Sequence, residues 1–163
     1  MTTVTFLGTP FKTVGALPKI NSLAPDFALV RKDLSEANLQ NFAGKKKILN
    51  IFPSLDTKTC ALSVKQFYHK AANLKDVVVI NISMDLPFAQ ARFCTQESVN
   101  VEVLSAFRSS FPIDYGVQIA EGPIRGLCSR AVVLLDENNK VLYTEQVQEI
   151  SHEPNYDKVL ALV

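Results

Sequence analysis

The chain has 163 residues, a formal net charge of +1, 47% apolar residues and 20% charged residues. This balance suits one globular domain over residues 1–163 and lacks the basic footprint of a nucleic-acid binder. No apolar run approaches the roughly 18 residues of a membrane span. Met1–Phe6 shows no charged segment followed by an apolar stretch, so a cytoplasmic chain is expected.

In chain order, residues 3–7 and 11–14 alternate polar and apolar around Gly8-Thr9-Pro10, the pattern of a short hairpin. Residues 15–25, with Gly15, Pro18 and Pro25, read as a loop, and Phe27–Val30 as a short strand. Asp33-Leu34-Ser35 opens a turn or short helix that Gly44 closes. Lys47–Phe52 is a buried-strand candidate stopped by Pro53. From Cys60, the apolar residues Ala61, Val64, Phe67, Tyr68, Ala71 and Leu74 follow helical spacing, with Asp56 or Thr57 available as the cap. Val77–Ile82 is a β-branched run typical of a strand covered on both faces. Asp85 can cap a following helix that has Pro87 in its first turn and carries Phe88, Ala91, Arg92 and Cys94. Val101–Phe107 fits either a strand or irregular structure. Ala131–Leu135 and Lys140–Val147, flanking Asp136–Asn139, read as a hairpin, and Pro154 opens a last helix over 156–162. Strands alternating with helices, then a hairpin and a helix, suit an α/β fold with a mixed sheet.

The three cysteines are Cys60, Cys94 and Cys128, and the histidines are His69 and His152. An odd count argues against a static disulfide framework. The absence of Cys-x-x-Cys and His-x-x-x-His argues against a metal site, and no cofactor is expected. Cys60 falls in the first turn of the predicted helix, where unpaired backbone N–H groups and the helix dipole favour an anion and hence a nucleophilic sulfur. Lys58 adds positive charge there and Asp56 opposes it, while Thr57 can aim a hydroxyl at the sulfur or at a bound peroxide. On position alone, Cys60 is equally well a small apolar core residue. Arg130, just before the strand at 131–135, reads by itself as an ordinary surface arginine. Pro53 by itself reads as a strand terminator.

Pro53-x-x-x-Thr57-x-x-Cys60 matches the active-site motif of the peroxiredoxins. The chain resembles their thiol peroxidase subfamily in Leu49–Thr57, Ser83–Cys94, Gly122–Leu127 and Glu149-Ile150-x-x-Glu153-Pro154, so the likeness covers nearly its whole length. Thr59 stands where valine is usual and Lys65 where arginine is common. The resemblance implies a thioredoxin-like fold of the peroxiredoxin type, with a mixed sheet flanked by helices and an N-terminal hairpin. It implies that Cys60 is the peroxidatic cysteine, with Pro53, Thr57 and Arg130 completing the site. It also implies that Cys94 is the resolving cysteine of an intrachain disulfide. The expected substrates are hydrogen peroxide and organic or lipid hydroperoxides, and the expected reductant is thioredoxin. A homodimer is implied too, paired near the Cys60 loop and the 108–115 segment; Phe107, Phe111, Pro112 and Tyr115 form an aromatic-rich stretch there that suits either an interface core or a cap on the chain's own core. Cys128 is either an alternative resolver or a spare thiol, with the spare thiol favoured.

Two other functions use the same residues. A peroxide-responsive redox sensor would act through the Cys60–Cys94 switch, but no appended interaction segment favours it. A dithiol exchanger is disfavoured by the missing Cys-x-x-Cys.

Overall fold

The computed structural model describes residues 1–163. Strands β1 (Thr3–Phe6) and β2 (Thr9–Lys12) form a separate two-stranded hairpin. Its turn is Leu7-Gly8, both at positive φ, and not the Gly8-Thr9-Pro10 expected from sequence. A two-residue turn of that conformation matches the right-handed twist of the strands, so Thr9 already pairs with Phe6 and Pro10 lies within β2.

The main sheet contains β3 (Leu29–Arg31), β4 (Glu36–Ala37), β5 (Lys46–Ile51), β6 (Val77–Ser83), β7 (Glu102–Ser105), β8 (Ala131–Leu135) and β9 (Val141–Gln146). Their order is β4-β3-β7-β6-β5-β8-β9, with β5, β6 and β7 mutually parallel and the remaining pairs antiparallel. The ambiguous segment at 101–107 is the strand β7, whose register against β6 gives it a pairing that local sequence does not signal. The turn at 32–35 returns the chain as the short strand β4 rather than opening a helix, and a single 3-10 turn covers Leu39–Phe42.

Helices α1 (Lys58–Lys70), α2 (Pro87–Glu97), α3 (Phe111–Asp114) and α4 (Tyr156–Leu160) complete the fold. No helix is long and apolar enough to cross a membrane. Side chains alternate across the sheet. Leu49, Ile51, Ile80, Ile82, Leu104, Val133 and Leu135 enter one large core together with Phe27, Phe42, Phe111 and Tyr115. Ile48, Val132 and Leu134 face the other way and pack against Phe67 of α1 and Val159 of α4. On that second face, Asn50 donates to Asn81 Oδ1 at 2.9 Å and to Ser63 of α1 at 3.3 Å, a polar seam under the helix. Phe111 and Tyr115 are buried and stacked at 4.3 Å, and the Tyr115 hydroxyl donates to Pro25 O. They cap this chain's own core, the second of the two roles open to the aromatic-rich stretch.

Candidate active site

Strand β5 ends at Ile51, and the buried Phe52 and Pro53 lead into a loop that starts α1. Thr57 is the N-cap, and its hydroxyl oxygen accepts the Cys60 backbone N–H at 3.3 Å. The same hydroxyl donates to Ser54 O at 3.1 Å, so its proton is directed back along the loop and not toward the sulfur. Of the two possible caps, the structure uses Thr57. Asp56 is exposed and lies 3.6 Å from Arg92 of α2.

Cys60 lies in the first turn of α1 and is fully buried. Arg130 comes from the residue before β8, seventy positions away, and it too is almost fully buried rather than on the surface. Its Nη2 donates to Cys60 Sγ at 3.1 Å, and its Nε donates to Ile150 O at 2.8 Å. Its Nη1 is buried without a partner. None of the four ion pairs in the structure includes Arg130. A buried guanidinium is costly unless an anion or good acceptors face it. Here the side-chain acceptor that faces the guanidinium is the Cys60 sulfur, and Nη1 has no partner.

The carbonyl that orients Arg130 is itself held, a feature that sequence reasoning missed. Glu149 accepts the hydroxyls of Thr5 (2.7 Å) and Ser151 (2.6 Å) and the N–H groups of Leu7, Gly8 and Ser151. Burial acts to raise the Glu149 carboxyl, but the bonds from Ser151, Thr5 and Gly8 outweigh it and hold the group well below the usual carboxylate range. The N-terminal hairpin is thus pinned to the loop that presents Ile150 O. Thr59 adds a second tie from α1, donating to Ser151 O at 2.9 Å, a bond that the usual valine could not make. The Glu149-Ile150 string was legible as part of the resemblance, but its connection to Arg130 was not. Lys65, the other departure, pairs with Glu97 of α2 at 2.6 Å.

Cys94 lies in the last turns of α2 and shares one apolar cluster with Cys60, together with Phe52, Leu55, Val64, Phe93, Val99 and Val103. All three cysteines are free thiols. Burial pushes the Cys94 thiol up, and the nearby Lys32 ammonium pulls it the other way. Cys128 lies across the sheet in the large core. Burial, with a smaller contribution from Asp85, pushes its thiol up to about 12, which disfavours the nucleophilic thiolate. Cys128→Ala should therefore leave peroxidase turnover nearly unchanged and cost about 1 kcal/mol of stability through a small cavity. Steady-state assays and thermal melts check this, and a large loss of turnover would make Cys128 the resolver.

Comparison with known proteins agrees with this geometry. The model of the family described as Redoxin matches residues 19–160. A thiol peroxidase of Corynebacterium glutamicum is 47% identical over 157 residues, covering 96% of this chain and 95% of that protein. Among solved structures, a peroxiredoxin-like protein from Aquifex aeolicus superposes with a TM-score of 0.92 at 40% identity, covering 98% of this chain and 94% of the other. A thiol peroxidase from Chromobacterium violaceum superposes with a TM-score of 0.91 at 26% identity, with the same coverages. With that family model spanning most of the chain and a thiol peroxidase nearly half identical along its whole length, the chain belongs to the redoxin family, in its thiol peroxidase branch.

Proposed function

We propose that the chain reduces hydrogen peroxide and organic or lipid hydroperoxides, with Cys60 as nucleophile and Cys94 as resolving thiol. The observation that carries this reading is the 3.1 Å contact between Arg130 Nη2 and Cys60 Sγ, formed by a buried cation with no carboxylate partner. The Cys60 thiolate attacks one peroxide oxygen in line. The O–O bond breaks, the sulfur becomes a sulfenic acid, and the other oxygen leaves as hydroxide or alkoxide and takes up a proton. Arg130 stabilises both the thiolate and the charge that grows on the leaving oxygen by charge-assisted hydrogen bonds. Pro53 is buried just ahead of the loop and helps to keep water from the sulfur. Thr57 fixes the helix start, and rotation of its hydroxyl would give the peroxide a further partner.

In the second step, the Cys94 thiol attacks the sulfenic sulfur, forming the disulfide and releasing water. Cys60 sits in the first turn of α1, whereas Cys94 lies seven residues into α2, about 10 Å of helix from that helix's start. A disulfide requires Cα atoms within about 7 Å, so on this reading the segments at 57–62 and 90–98 rearrange during turnover. An external dithiol then reduces the bond. Thioredoxin is the partner that the thiol peroxidase relationship supports, in a cytoplasmic setting. Steady peroxide consumption by catalytic amounts of protein with a thioredoxin system separates this enzyme from a sensor that uses the same switch.

The deciding experiment is Cys94→Ser. The first oxidation should stay fast in single turnover, because the Cys60 surroundings are intact. Thioredoxin-supported cycling should fall sharply, and excess peroxide should drive Cys60 to sulfinic and sulfonic acid. That oxidation ladder is general chemistry of two-cysteine peroxiredoxins; its assignment to Cys60 and its dependence on Cys94 are specific to this chain. A first oxidation as slow as that of a chain lacking Cys60 would refute the division of labour.

A homodimer completes the reading. Leu86, Phe88, Phe107 and Ile113 are exposed. They follow the C-terminal ends of the paired strands β6 and β7 and so emerge at one end of the sheet. Exposed apolar side chains at that end suit an interface core. Light scattering at micromolar concentration should report a dimer, and Phe88→Glu should shift it toward monomer; a wild-type monomer would refute the pairing.

A further inference from the structure

Helix α2 starts without a side-chain cap. Leu86 occupies the N-cap position, and Asp85, the cap expected from sequence, points its carboxylate elsewhere. A helix start without its cap is less stable. The carboxylate is engaged by the segment leading to Cys60. Its Oδ1 accepts the Ser54 hydroxyl at 2.7 Å, and its Oδ2 accepts the Leu55 N–H at 2.8 Å. Oδ2 also accepts the Ser83 hydroxyl at 2.7 Å, at the end of β6. The Asp85 carbonyl accepts the Ser105 hydroxyl at 2.5 Å, at the end of β7. No cation pairs with the carboxylate.

The network continues into α2. Gln90 is buried, and its Nε2 donates to Ser83 Oγ at 3.3 Å and to Leu104 O at 3.1 Å. Gln90 lies one helical turn before Cys94. Hydrogen bonds therefore run from Ser54 and Leu55 through Asp85 and Ser83 to Gln90, joining the loop before Cys60 to the helix that carries Cys94.

We infer that Asp85 is a positioning residue whose carboxylate clasps loop 53–57 to the end of β6, holding Cys60 against Arg130, and that this clasp must open before Cys60 can meet Cys94. The inference rests on the assignment of Cys60 and Cys94 made above. Asp85 touches neither sulfur and leaves the chemistry of both steps unchanged. It acts by favouring one arrangement of the loop, so it affects the two steps with opposite sign. The closed arrangement speeds the first oxidation, which needs Arg130 on the sulfur. The same arrangement slows the disulfide step, which needs the loop to leave the end of β6 so that the two sulfurs can meet.

The test is single-turnover oxidation of the full chain by hydrogen peroxide, with acid quenching and mass spectrometry of the sulfenic and disulfide forms. Asp85→Ala should slow the first oxidation and quicken disulfide formation, each about tenfold, as expected for losing hydrogen bonds to a charged group. Its sulfinic fraction at high peroxide should fall. Asp85→Asn keeps an acceptor for the Leu55 N–H and should be intermediate, and Ser54→Ala should give the smallest change with the same two signs. If Asp85→Ala does not fold by circular dichroism, those two conservative variants decide the matter. Rates that fall together, or that both stay at the wild-type value, overturn the inference, because a merely structural role predicts no opposite signs. Wild type run alongside separates the two levels. If it forms no Cys60–Cys94 disulfide, the function reading fails and takes the opening half of this inference with it. If it forms that disulfide and the variants match it, the role of Asp85 alone fails.

Discussion

Cys60→Ser is expected to reduce peroxide consumption to the uncatalysed background. A serine hydroxyl is not ionised at neutral pH and gives no sulfenic acid, so neither the first step nor the disulfide can follow. The fold should persist. The Thr57 cap bonds a backbone N–H, which the substitution keeps, and the remaining Oγ is still an acceptor for Arg130 Nη2. A coupled thioredoxin assay with circular dichroism of the same sample measures both halves of the expectation. Activity above trace in a folded Cys60→Ser protein would move the nucleophile elsewhere. Cys94 would be the remaining candidate, because it shares the apolar cluster of Cys60 whereas Cys128 lies across the sheet.

Arg130→Met should slow the first oxidation by about 100- to 1,000-fold, the usual cost of removing a buried donor aimed at developing charge. Two effects combine. The Cys60 sulfur loses its donor at 3.1 Å, and the proposed leaving oxygen loses the guanidinium charge beside it. Stability should change less than activity. Removing a buried charge that lacks a carboxylate partner relieves desolvation, which offsets leaving Ile150 O without its donor. Arg130→Lys should recover only part of the rate, because a single ammonium cannot bridge Ile150 O and the sulfur in the planar geometry of a guanidinium. Stopped-flow oxidation under pseudo-first-order peroxide checks both variants. A rate within about threefold of wild type in Arg130→Met would show that the 3.1 Å contact has no catalytic weight, since a donor of this kind is worth far more.

The parts of the fold legible in the sequence are those whose signal is local. The β-branched run at 77–82 and the apolar run at 47–52 became the central strands β6 and β5, within a residue of their expected ends. The helical spacing after Cys60 and the Thr57 cap became α1, and that placed the cysteine in a first turn. Spacing, cap preference and turn chemistry act over a few residues, so the chain states them directly, and the motif around Cys60 carried the family with it. The tertiary structure decided what depends on pairing across distance. It set the strand order, gave the ambiguous 102–105 segment its place beside β6, and turned Phe111 and Tyr115 inward. It also buried Arg130, which local sequence without the family resemblance would leave on the surface, against a sulfur seventy residues away. It drew Asp85 off its own helix toward the Cys60 loop. Local preference offers such a side chain several partners of similar energy, and only the packed sheet brings one of them within hydrogen-bond reach.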